Sequence, residues 1–79
     1  MSKSRSFDTA IKETEKKKSE ATELLRQCRV AIGFLVDQSG KEYDYAIAGL
    51  EYAVEQLIYR VELLEANRLF YIEEKRLRG

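Results

Sequence analysis

The sequence predicts an all-α fold, an antiparallel two-helix hairpin of coiled-coil type, and three observations carry that reading. The only strong breaker inside the 79-residue chain is "DQSGK", residues 37–41. On both sides of it the apolar residues recur with helical period. The two periodic stretches are nearly equal in length, so a short connection must fold one back along the other.

The first helix is expected over about residues 6–36, with Ser4 or Ser6 as its N-cap and Asp8 in the first turn, where a carboxylate favours the helix dipole. Asp37, Ser39 and Gly40 supply turn chemistry, and Gly40 suits the left-handed residue that ends a helix. The second helix is expected over about residues 42–76. Its early acids Glu42 and Asp44 and its late bases Lys75, Arg76 and Arg78 complement the macrodipole. Residues 1–79 make a single domain, since a chain this short allows no more.

The second helix carries two apolar seams. One is a heptad seam with Ile47, Val54 and Val61 at a and Leu50, Leu57 and Leu64 at d. The other has the same spacing and runs Tyr45, Gly49, Tyr52, Gln56, Tyr59, Leu63, Ala66, Phe70. At about 100° per residue the two lie roughly 160° apart. The acids Asp44, Glu51, Glu55, Glu62 and Glu65 fill the remaining stripe. A helix that is apolar around most of its girth is built to be covered on two sides.

The first helix has one stripe, Ala21, Leu24, Leu25, Cys28, Ala31, Ile32 and Leu35, with Phe7, Ala10 and Ile11 near its start. Between them lies "KETEKKKSE", residues 12–20, which holds no apolar side chain. Folding about Ser39 pairs residues whose numbers sum to 78 or 79, such as Ile32 with Ile47 and Ala21 with Leu57. That register sets Lys17 and Lys18 against Val61 and Thr14 against Leu64. The first helix is then expected to cover Val61 and Leu64 poorly and the tyrosine seam not at all. The partner-binding residues expected on this basis are Tyr45, Tyr52, Tyr59, Val61, Leu63, Leu64 and Phe70.

Composition narrows the function classes. There is no His and one Cys, so neither a zinc site nor an internal disulfide is expected, and small chains lacking both usually oligomerise or bind a partner. No catalytic, cofactor-binding or metal residues are expected. Glu51/Glu55 and Glu62/Glu65 have the spacing of carboxylate pairs, but di-iron bundles also need Glu-x-x-His. They read instead as a solvated stripe, or one that meets Arg26 and Arg29. Cys28 falls in the apolar stripe with no base to activate it, and reads as a structural thiol. Gly33 and Gly49 match no phosphate loop and are expected to let helices approach closely.

Fourteen basic and fourteen acidic residues cancel, which argues against a nucleic-acid or membrane-surface binder. The bases do gather at the open end, at Lys3, Arg5, Lys12, Arg68, Lys75, Arg76 and Arg78. The run "VAIGFLV", residues 30–36, is far shorter than the roughly 20 residues a membrane span needs. "MSKSRSFD" lacks the apolar core of a secretory signal, and with a lone thiol a cytoplasmic location is expected.

The pattern looks like that of several unrelated small helical proteins: secretion co-chaperones, phage-encoded inhibitors and coiled-coil subunits of larger assemblies. No motif among these residues singles one out. The expected function is a non-enzymatic protein–protein interaction module, an adaptor or structural subunit that self-associates through helix 2, most simply as a dimer completing a four-helix bundle. The alternative is a chaperone or inhibitor that captures a different protein on the Tyr45/Tyr52/Tyr59/Phe70 face.

Overall fold

The computed structural model describes residues 3–38 and 41–78. It shows two long helices, α1 (Lys3–Asp37) and α2 (Asp44–Arg78), joined through a 3-10 turn at Lys41–Tyr43. Among the described residues there is no strand. The helices lie side by side in a rod of 58 × 14 × 13 Å. Its long axis is close to the roughly 52 Å that a 35-residue helix spans.

α1 starts earlier than expected, so Ser6 lies inside the helix and Asp8 is beyond its first turn. Near its start α1 runs beside the end of α2, which extends to Arg78. Phe7 is half-buried there, and Asp8 pairs with Lys75. At its other end α1 closes with the Gln38 N–H donating to the Leu35 carbonyl at 3.1 Å. Gly40 lies outside the described residues. α2 begins at Asp44 and ends with Lys75, Arg76 and Arg78 in its last turn, the charge order its dipole favours.

The seam between the helices has most of its expected members, Leu24 excepted, but a shifted register. Among the described residues three ion pairs cross it: Lys18 Nζ to Glu65 Oε1 at 3.0 Å, Arg68 Nη1 to Glu15 Oε2 at 3.5 Å, and Lys75 Nζ to Asp8 Oδ1. In each the two residue numbers sum to 83, about one helical turn beyond the expected 78 or 79. The 3-10 turn belongs to the connection and delays the start of α2, which moves the fold-back point later along the chain. The shift brings Ala21 level with Val61 and Glu62. A small groove lined by Lys17, Glu20, Ala21, Leu24, Leu57 and Arg60 marks the same neighbourhood.

The polar stretch of α1 therefore covers α2 better than its composition suggests. Val61 and Leu64 are half-buried. Thr14, inside that stretch, is among the most buried residues, with its hydroxyl donating to the Ala10 carbonyl of its own helix at 2.7 Å. With the polar atom satisfied locally, the methyl group is free to pack. Lys18 lays its stem along the seam and carries its ammonium out to Glu65.

Even so, this is a thin core. Among the described residues only Ala21 and Thr14 are buried, and no large side chain is fully enclosed. Ile47, Leu50, Val54 and Leu57 of α2 and Leu25, Cys28, Ile32 and Leu35 of α1 are all half-buried.

Candidate protein-interaction face

The seam against α1 uses one side of α2, and α2's second apolar row points the other way. Tyr45 is 91% exposed, and Tyr52, Tyr59, Leu63, Phe70 and Leu77 are exposed with it. The heptad spacing makes this outcome necessary. Once Ile47, Leu50, Val54 and Leu57 face α1, residues two positions before or after each a residue project outward. Of the seven expected partner-binding residues, Tyr45, Tyr52, Tyr59, Leu63 and Phe70 share this outer face. Val61 and Leu64 sit on the inner seam, half-buried. The structure thus separates a set that had been grouped by an inferred lack of cover.

Several features of the outer face order it. The Phe70 and Tyr71 rings meet edge to face, 5.8 Å between centroids and 66° between planes. Tyr71 is half-buried on the inner seam, so it anchors the exposed Phe70 ring. A Cβ built on Gly49 would meet nothing within 4 Å, and the same holds for Gly33. Neither glycine serves close approach within the hairpin. Gly49 instead leaves a flat place in the outer row.

Ion pairs lie beside the inner seam, on α1 and at the C-terminal end of α2. Glu65 accepts from Arg68 Nε at 2.8 Å and from Lys18 Nζ at 3.0 Å, and these donors hold its carboxyl down at about 2. Glu23 is likewise held below its usual range by Arg26 and Gln27, and Glu73 by Arg76. Arg26 thus turns to its own helix and not to the α2 acids, because both partners lie on the outer side of α1. The bases at the open end are also occupied: Arg68 by Glu65 and Glu15, Lys75 by Asp8, Arg76 by Glu73, and Arg78 by Glu74. No basic patch is left there among these four.

Sequence reasoning missed a second apolar patch. Val30, Phe34 and Val36 of α1 are 61%, 65% and 58% exposed. With Arg26, Gln27, Ala31 and Leu35, the first two line a shallow groove of about 460 Å³ near the turn. Within the run "VAIGFLV", Ala31, Ile32 and Leu35 belong to the inner stripe, which leaves Val30 and Phe34 on a different face. The spacing of Val30 and Phe34, four residues apart and off the inner stripe, is the signal that finds the patch. Leu24, expected on the inner stripe, is 52% exposed and lies on its flank.

Among the described residues no group of His, Cys, Asp or Glu is arranged to hold a metal ion, and no helix is long and apolar enough to cross a membrane. Comparison with known protein families, curated proteins and solved structures finds no match for this chain.

Proposed function

We propose that this protein is a non-enzymatic protein–protein interaction module that self-associates through the outer face of α2, most simply as a dimer with four helices. One observation carries the reading: Tyr45, Tyr52, Tyr59, Leu63 and Phe70 stand exposed along one face of a rod with almost no enclosed core.

The areas support it. A globular monomer of 9.2 kDa exposes roughly 4,900 Å². This hairpin exposes 6165 Å². The excess of roughly 1,200 Å² exceeds the about 800 Å² per partner that a stable interface removes from water. Tyrosine suits the role, since it brings large amphipathic area with few rotamers to freeze. The self-complementary row also fits a two-fold contact, which closes at two copies.

The carboxylates argue for the non-enzymatic part of the proposal. Glu23, Glu65 and Glu73 are all pushed towards the ionised form by adjacent donors. A general acid working near neutral pH needs the opposite shift.

Association coupled to folding makes stability depend on concentration. The thermal midpoint, followed by circular dichroism, is expected to rise across a hundredfold increase in protein concentration. A midpoint that stays constant over that range overturns the proposal.

The Val30/Phe34 groove favours a second reading. It lies on α1, where α2-mediated pairing does not reach, and its lining is mainly apolar. On that reading the hairpin is a chaperone or inhibitor that captures a segment of a different protein.

A further inference from the structure

We infer that the second copy docks parallel to the first and in register, α2 beside α2, with both turns at the same end. The inference rests on the self-association proposed above and adds its geometry.

The outer row alternates in steps of four and three: Tyr45, Gly49, Tyr52, Gln56, Tyr59, Leu63, Ala66, Phe70. That is the spacing of a coiled-coil seam, so a second α2 can pack along its whole length. In a parallel, in-register pair every layer meets its own copy. Aromatic meets aromatic, Leu63 meets Leu63, and Gly49 meets Gly49 where the helices come closest. Gln56 forms one hydrogen-bonding polar layer, the kind of residue that fixes register in such seams.

The flanking charges separate the possible orientations. Beside the row lie Glu55, Glu62 and Leu69 on one edge, and Ala53, Arg60 and Asn67 on the other. In a parallel seam a flanking residue reaches the partner's residue five positions later. Glu55 then meets the partner's Arg60, and by symmetry the contact occurs twice. Among the described residues neither Glu55 nor Arg60 has an ion-pair partner inside the hairpin, so both are free to make it.

Antiparallel packing fares worse in every register that covers the tyrosines. The best layers set Tyr45 on the partner's Phe70 and Tyr52 on the partner's Leu63, but they place Glu55 against the partner's Glu62 twice. Slipping one heptad either way sets Glu55 or Glu62 against itself. Slipping two heptads, so that Tyr59 meets the partner's Phe70, relieves the acids but leaves Tyr45, the most exposed aromatic, with nothing opposite. Like charges facing across a seam suppress the wrong pairing.

The inner and outer seams lie on nearly opposite sides of α2. The four helices therefore stand close to a row, with each α1 on the outside and its Val30/Phe34 groove still open. Glu73 continues the outer row but is held by Arg76 of its own helix, so the seam ends near Phe70.

The test combines a charge swap with a cross-link, using the full chain. Dissociation constants are measured by sedimentation for the wild type, Glu55→Lys, Arg60→Glu and the double variant. Parallel docking predicts that each single change weakens association about tenfold and that the double change restores it. Separately, Ala66→Cys in a Cys28→Ser background is oxidised. Parallel docking predicts a disulfide-linked dimer, because the two sulfurs share a layer. The best-covered antiparallel register instead predicts tighter association for Glu55→Lys, which would face the partner's Glu62, and no Ala66→Cys cross-link. That pair of results overturns the orientation while leaving self-association intact. A wild type that stays monomeric overturns both.

Discussion

The double variant Tyr52→Ala/Tyr59→Ala should change sign with protein concentration. Both side chains are mostly exposed in the hairpin, at 66% and 60%, so truncating them removes little packing against α1. Alanine is the better helix former by about 0.5 kcal/mol per site, so the isolated hairpin should gain about 1 kcal/mol. In the proposed dimer each of the two tyrosine layers, a ring and its copy, should contribute about 2 kcal/mol. Association should then weaken by roughly a thousandfold. Thermal melts followed by circular dichroism are the assay. In dilute protein the variant should melt at or above the wild type, and in concentrated protein below it. A contrasting variant, Leu57→Ala, removes a half-buried seam residue. It should cost about 2 kcal/mol, the low end for a truncated core leucine, and lower the midpoint by about 8–16 °C at every concentration. If the tyrosine pair unfolds the dilute hairpin while Leu57→Ala is harmless, the two seams have been assigned the wrong way round.

Further consequences can be measured independently. Glu65 has its pKa lowered from 4.5 to about 2 by Arg68 and Lys18. Its folded value lies below the unfolded one, so its contribution is complete above pH 4.5 and is lost as the pH falls through about 2. Acid titration of stability should show a fall in that window, and Glu65→Gln should flatten it. Gly33→Ala should stabilise the helix by about 0.5–1 kcal/mol, since a Cβ there meets open space; a loss of stability would show a hidden contact. Gly49→Ala should give the same gain in dilute protein but weaken association, because Gly49 lies in the outer row. Amide exchange should be slowest in mid-helix, around Thr14–Cys28 and Val54–Arg68, where the buried residues and two of the three cross-helix ion pairs lie. Slowest exchange beside the turn would contradict the register.

What the sequence made legible follows from what periodicity encodes. Two helices, their antiparallel run and the two faces of α2 are all consequences of where Ile, Leu, Val and Tyr recur, and each is present in the structure. Register is a different matter. A heptad seam slides by a turn with little change in apolar contact, and its setting here depends on the 3-10 turn at Lys41–Tyr43 and on ion pairs that only geometry reveals. That slide moves Val61 from Lys17 and Lys18 to the neighbourhood of Ala21, which explains why it is half-covered. Thr14 was illegible for a related reason: a threonine that satisfies its own hydroxyl is apolar to its neighbour, and composition counts it as polar. Phe34 and Val30 were hidden by the strength of the inner stripe beside them. The outer row was the easiest feature to find, because tyrosine every seventh residue has no role in an isolated hairpin.

The central claim is that α2's outer face is covered by a second copy. Sedimentation equilibrium of the purified chain from low to high micromolar concentration tests it most directly. The account predicts a mass that rises from 9.2 kDa towards twice that value and then levels off, as a closed two-fold pair requires. A mass of 9.2 kDa at every concentration would contradict it.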